Sequence, residues 1–133
     1  LKVILDTHMW VWWLLPDSPL SDRERKALDR IADERGIFLP AICQWEAQML
    51  HRKQRIELPV PFPSWLRRAT ASEMLTVLPL NADTVIEVDD LPAAFHGDPA
   101  DRMIVATARA HGLPLATHDA AIKKSRLAKI WKP

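Results

Sequence analysis

The sequence predicts an α/β domain built on a mostly parallel sheet. Three observations lead there. Short apolar runs recur along the chain, at Lys2–Leu5, Ile37–Leu39, Leu75–Leu80 and Leu113–Thr117. Longer stretches with helical spacing separate them, and several of these carry explicit start or stop residues. Strand and helix in alternation point to parallel pairing, because a parallel neighbour needs a crossover long enough to hold a helix.

The elements follow in order. Lys2–Leu5 is the first strand, and His8–Leu15 is a helix ended by Pro16. Ser21-Asp22-Arg23-Glu24 has the capping-box pattern: the serine hydroxyl accepts from the Glu24 N–H while the glutamate reaches back. The helix it opens puts Ala27, Leu28, Ile31 and Ala32 on one face and stops at Gly36. Ile37–Leu39 is a strand halted by Pro40, and a helix through Trp45, Glu46, Met49 and Leu50 runs into the basic stretch Arg52–Arg55. Alternate prolines between Leu58 and Pro63 forbid helix interior and central strand, so this is a stiff extended connection packed within the domain. Ser64–Ala71 reads as a helix, Leu75–Leu80 as a strand and Ala82–Val88 as a helix. Asp98-Pro99 starts another helix, aspartate as N-cap and proline at the first helical position, and Gly112 ends it. Leu113–Thr117 is a strand, Ala120–Arg126 a short helix and Ala128–Trp131 a last edge strand.

At 133 residues the chain is expected to form one domain spanning 1–133. Its 48% apolar and 26% charged residues exclude wholesale disorder. The single cysteine, Cys43, excludes an intrachain disulfide and a Cys-rich zinc site, and suits a reducing, cytoplasmic setting. The longest uninterrupted apolar run, Met9–Leu15, falls far short of the ~20 residues that cross a bilayer, so no membrane association is expected. Asp6 and His8 break the apolar run after Lys2, which argues against a secretory leader. Eighteen Lys+Arg against 17 Asp+Glu give a formal charge of +1, which decides nothing about a polyanionic partner. The placement of the acids is more informative.

Asp6 directly follows the first strand, Asp119 lies two residues past Thr117, and Asp101 is in the first turn of the helix that Asp98 caps. In parallel α/β sheets the crevice outside the carboxyl ends of the strands is where ligands bind. Glu46 joins the group if its helix presents its first turns to the same edge, and an acid beside Trp45 in an apolar stretch calls for a partner. Two carboxylates ~4 Å apart repel by about 4 kcal/mol at an effective dielectric of about 20, so a cluster needs a cation or protons. Hard oxygen ligands without nearby Cys or a paired-His motif favour Mg²⁺ or Mn²⁺. Such an ion polarises a phosphoryl oxygen and activates water, which suits phosphodiester hydrolysis. Each acid also has an ordinary reading: Asp98 and Asp119 as N-caps, Asp101 as a complement to the helix dipole.

The words around the acids are more specific. Leu5-Asp6-Thr7-His8, Trp45-Glu46, Asp98-Pro99-Ala100-Asp101-Arg102-Met103-Ile104-Val105-Ala106-Thr107-Ala108 and Leu115-Ala116-Thr117-His118-Asp119 occur in this order. With the Leu91–Pro99 stretch and the run Trp12-Trp13-Leu14-Leu15, they resemble the PIN-domain ribonucleases, and among these the VapC-type toxins of toxin–antitoxin pairs. The resemblance runs from Lys2 to about Ile122. It implies a compact α/β/α sandwich around the parallel sheet and a divalent-metal-dependent endoribonuclease. It implies a site of Asp6, Glu46, Asp101 and Asp119 holding Mg²⁺ or Mn²⁺, supported by Asp98, with Thr117 and Thr7 close by. RNA as substrate, a small VapB-type antitoxin and a homodimer are implied as well. Cys43 stands two residues before the Trp-Glu pair, where many relatives have serine, and the chain lacks the tyrosine common after the last acid.

An RNA substrate needs positive charge around an acidic centre. Arg102 stands beside Asp101, and Lys123, Lys124, Arg126, Lys129 and Lys132 put five charges into ten residues. Arg52-Lys53-Arg55 and Arg67-Arg68 are further candidates, with solvated helix faces as the ordinary reading. Trp10, Trp12 and Trp13 cannot share one helical face, so at least one is covered by another element or another chain. Core packing, an interface and base stacking are the three roles open to them. Two other functional classes also stay open: a non-catalytic PIN-like module that binds RNA or protein, and a metal-dependent nuclease outside toxin–antitoxin systems. A phosphatase fits less well, because Asp6-Thr7-His8 stands where a D-x-D nucleophile motif belongs.

Overall fold

Val3, Ile4 and Leu5 have no exposed surface, so both faces of the strand they form are covered. A computed structural model, which describes residues 1–95 and 97–133, places this strand, β1 (Val3–Leu5), at the centre of the molecule. His96, within the Leu91–Pro99 word, lies outside the described residues. The chain continues through α1 (Thr7–Leu14), α2 (Asp22–Asp33), β2 (Ile37–Pro40), α3 (Ile42–Arg52) and α4 (Phe62–Ala69). It then forms β3 (Thr76–Leu78), α5 (Ala82–Asp90), α6 (Pro99–His111), β4 (Leu115–Ala116) and α7 (Ala120–Ser125).

The four strands are all parallel, in the order β3-β2-β1-β4. Val3 pairs with Ile37, Phe38 with Thr76, and Ile4 with Leu115. The chain winds outward from β1 to β3, then returns through α5 and α6 to place β4 on the far side of β1. The reversal leaves a crevice at the carboxyl ends of β1 and β4, the switch point at which open α/β sheets bind ligands.

Local signals account for most boundaries. The capping box forms, with the Glu24 N–H donating to Ser21 Oγ at 3.1 Å and the Ser21 N–H to Glu24 Oε1 at 3.0 Å. Asp98 caps α6, and Gly112 ends it in the left-handed region at φ 61°. Strands β3 and β4 are shorter than the expected Leu75–Leu80 and Leu113–Thr117, and β2 runs on through Pro40. Three further details differ from expectation. Helix α2 ends at Asp33 and the left-handed residue is Arg35, at φ 58°. Gly36 serves close approach instead: a Cβ there would lie 2.1 Å from the Leu1 carbonyl oxygen and 2.8 Å from Ile31 Cγ2. Helix α4 starts at Phe62, not Ser64, because Pro63 falls in the first turn, where a missing N–H costs nothing. The Ala128–Trp131 segment makes one parallel bridge, Leu115 to Ile130, in place of a full edge strand.

Two of the three clustered tryptophans belong to the core. Trp10 is wholly buried, its ring 5.0 Å from Trp65 and its indole N–H donating to the Ala69 carbonyl at 2.9 Å. Trp13 is buried and donates to Asp29 Oδ1 at 2.8 Å. Trp12 stays partly exposed. Among the described residues, no helix is long and apolar enough to cross a membrane.

Candidate metal centre

The acids arrive at the switch-point crevice because helices begin there. Asp6 is the first residue after β1 and the N-cap of α1, Oδ1 accepting from the Met9 N–H at 2.9 Å. Asp119 follows β4 and caps α7, accepting from the Ile122 N–H at 2.8 Å. Asp98 caps α6, accepting from the Asp101 N–H at 3.1 Å. Three helix N-termini therefore face one crevice, and their partial positive charges favour the anionic carboxylates. Asp101 is in the first turn of α6, and Glu46 comes from α3.

Thr7 and Thr117, both buried, position two of the acids. The Thr7 hydroxyl donates to Glu46 Oε1, which supplies the partner that an acid beside Trp45 required. The Thr117 hydroxyl donates to Asp6 Oδ2 and accepts from the Asp119 N–H at 3.0 Å, so one side chain links the ends of β1 and β4. Cys43 is buried behind this layer, its thiol 3.9 Å from the Leu5 carbonyl oxygen, and burial pushes its pKa up. With cysteine there and Ala41 at the cap position, α3 starts without a side-chain cap.

The electrostatics are those of crowded anions. Burial pushes Asp6 up to about 6, against the lowering effects of the Thr117 and Met9 hydrogen bonds. Asp101 is pushed up to about 7, first by burial and then by the charges of Asp98, Asp119, Glu46 and Asp6. Glu46, Asp98 and Asp101 each place a carboxylate oxygen within 4.8 Å of the other two. Asp98 is thus both a helix cap and a member of this acidic group. Asp6 and Asp119 line the same cleft, of about 450 Å³.

The basic residues divide. Lys53 and Arg55, just past α3, line the acid-bearing cleft. Lys123 and Lys124 line two other depressions, Lys123 beside Trp131 and Lys124 beside Phe95. The Arg102 guanidinium turns to the loop before α6 and donates to the Phe95 carbonyl at 3.1 Å. Arg126 ends α7 in the left-handed region. Sequence reasoning assigned no part to His8 and His118, which also line the cleft. Their signal was adjacency, since each stands next to a threonine or aspartate of the site.

Comparison with known proteins shows the family. Residues 3–126 match the PIN domain family. The chain is 37% identical over 125 residues to ribonuclease VapC22 of Mycobacterium tuberculosis, across 93% of this chain and 92% of that protein. Among solved structures it is similar to VapBC2 from Rickettsia felis bound to a DNA fragment from their promoter, with TM-score 0.73, 15% identity and 98% of each chain covered. FitAcB from Neisseria gonorrhoeae is similar with TM-score 0.71 and 20% identity, over 98% of this chain and 97% of that one. At such identities these two likenesses speak to the fold alone.

Proposed function

The chain belongs to the PIN-domain family, and from that membership we propose that its carboxylate cleft is the active site of an endoribonuclease working with Mg²⁺ or Mn²⁺. We take it to act as a VapC-type ribonuclease toxin of a toxin–antitoxin pair, a reading supported by its 37% identity to ribonuclease VapC22. The observation that carries the reading of the site is the convergence of Glu46, Asp98 and Asp101 within 4.8 Å, beside Asp6 and Asp119. At that spacing the charges repel by roughly 3–4 kcal/mol per pair at an effective dielectric of about 20, which a divalent cation offsets. The donor set is carboxylate oxygen throughout, which fits a hard ion.

Asp6, Glu46, Asp101 and Asp119 would hold that ion, with Asp98 in support. Bound there, it supplies electrophilic assistance at the scissile phosphate and a more acidic water. Thr117 and Thr7 hold Asp6 and Glu46 in fixed orientations through their hydroxyl hydrogen bonds. Glu46 orients the attacking water and accepts its proton. Attack by water, without the 2′-hydroxyl, breaks the P–O3′ bond; the departing 3′-oxygen takes a proton from solvent, which leaves 5′-phosphate and 3′-hydroxyl ends. Lys53 and Arg55 neutralise backbone phosphates of the strand entering the cleft.

The setting is the cytoplasm, where RNA is at hand and a lone buried thiol stays reduced. A small VapB-type antitoxin is the protein partner, and the working form is a homodimer. The test incubates the purified chain with single-stranded RNA or DNA, in Mg²⁺, Mn²⁺ or EDTA, and analyses the ends. Metal-dependent cutting of RNA with 5′-phosphate products is expected. Cutting that persists in EDTA, or 2′,3′-cyclic phosphate ends, refutes the mechanism.

A further inference from the structure

We propose that Trp12, flanked by His8 and His118, is a stacking platform for an unpaired base of the RNA beside the scissile phosphate. The inference deepens the ribonuclease reading and rests on it. Trp12 lies on the helix that Asp6 caps, so its place is fixed relative to the acidic centre. Its neighbours Trp10 and Trp13 are consumed by the core, each with its indole N–H satisfied. Trp12 is partly open to solvent instead, its ring centroid 5.4 Å from that of His8 and 5.8 Å from that of His118.

The indole lies between two depressions of different chemistry. One is the acid-bearing cleft, where Lys53 and Arg55 add positive charge. The other is a trough of about 430 Å³ walled mainly by apolar residues such as Leu15, Pro16, Pro19 and Leu58, with Asp17 and Glu57 also lining it. Trp12 lines both. A nucleotide has the same two halves, an anionic phosphate and a flat apolar base, and aromatic side chains are the usual partners of unpaired bases. Trp12 is the residue that the two depressions share, so an RNA strand with its phosphate in one and a base over the other is the occupant that both match.

The platform is held from behind. The Trp12 carbonyl accepts from the Leu15 N–H at 3.2 Å, the Ser18 hydroxyl at 2.7 Å and the Arg25 guanidinium at 3.2 Å. Arg25 also donates to the carbonyls of Trp13 and Leu15, at 2.5 and 3.0 Å, satisfying the orphan acceptors at the end of α1. His118 Nε2–H donates to Glu24 Oε2 at 2.6 Å, while Oε1 of the same glutamate accepts from Ser21. The start of α2 is thereby strapped to the histidine, and the capping glutamate doubles as its anchor. A surface pre-organised in this way loses little freedom when a base lands on it.

The test compares Trp12→Leu, which keeps apolar bulk without a ring, with Trp12→Phe, which keeps a ring, in steady-state cutting of a single-stranded oligoribonucleotide with Mn²⁺. Trp12→Leu should raise KM by about 5- to 150-fold, the range of single-base stacking, with kcat nearly unchanged. Trp12→Phe should recover most of the loss. Substrates carrying one abasic nucleotide at successive positions should include one that costs the wild type a similar factor and costs Trp12→Leu nothing. An unchanged KM in Trp12→Leu overturns the inference alone, as does an abasic penalty that persists undiminished in that variant. A wild type that cuts no RNA in Mn²⁺ overturns the ribonuclease reading, and this inference with it.

Discussion

Replacing Asp6 by asparagine should make the metal-free protein more stable and inactive at once. The Asp6 carboxyl holds its proton up to about pH 6 in the folded chain, against an ordinary value of 3.8. The folded state therefore binds the extra proton, and the wild type loses stability as pH rises through that interval. Above about pH 7 the loss is complete and amounts to about 3 kcal/mol. Asparagine carries no charge to desolvate, and its carbonyl oxygen caps α1 as well as aspartate does. Its amide donates to the Thr117 hydroxyl, which still accepts from the Asp119 N–H. Asp6→Asn should thus gain about 2–3 kcal/mol near pH 8, with the two curves converging near pH 4. Urea unfolding in EDTA across that range measures the difference, and groups that titrate alike in both proteins cancel from it. A variant less stable than wild type near pH 8, or a gain of equal size near pH 4, would refute the burial argument.

Three further outcomes follow from the geometry. Mn²⁺ at about a hundred times its dissociation constant should stabilise the wild type by about 2.7 kcal/mol, a rise of roughly 8–10 °C in melting temperature. EDTA should reverse that rise and Asp101→Asn should abolish it; it should shrink as pH falls below about 7, because the ion must displace protons from Asp101 and Asp6. Paired replacement of Lys53 and Arg55 by alanine should weaken RNA binding and flatten its salt dependence more than the same change at Lys123 and Lys124, as fluorescence anisotropy across a salt series would show. Trp10→Ala removes a wholly buried ring and its bond to the Ala69 carbonyl, and should cost about 3–5 kcal/mol in urea unfolding.

Local chemistry explains what was legible in advance. Ser21 with Glu24, and Asp98 with Pro99, announce their helices through bonds spanning three residues, so neighbouring side chains suffice to read them. The strand order was not legible, because a run such as Ile37–Leu39 states its own burial and says nothing of which strand it meets. Arg35 in the left-handed region is opaque for the same reason: the glycine one residue later is the obvious stop, yet it is needed for contact with Leu1. At the site, the order of the acidic words pointed to Asp6, Glu46, Asp101 and Asp119. It understated Asp98, because a good N-cap explains itself, and distance alone joins that residue to Glu46. The basic residues were the least legible. Five charges near the C-terminus outnumber Lys53 and Arg55, but only the crossover from α3 decides which of them borders the cleft.

The doubling of cap and carboxylate at Asp6, Asp98 and Asp119 has a genetic consequence. Asparagine caps a helix as well as aspartate, and every aspartate codon becomes an asparagine codon by one G-to-A transition. The cap hydrogen bond at each of these three helix starts survives that change, and relief of anionic crowding offsets the lost attraction of the helix dipole. Only the need for activity keeps the acids in place. Where expression of the chain is harmful, the mutants that survive should therefore be enriched in Asp→Asn at these positions. They should accumulate as full-length, well-folded protein, where truncations and core lesions leave only degraded chains.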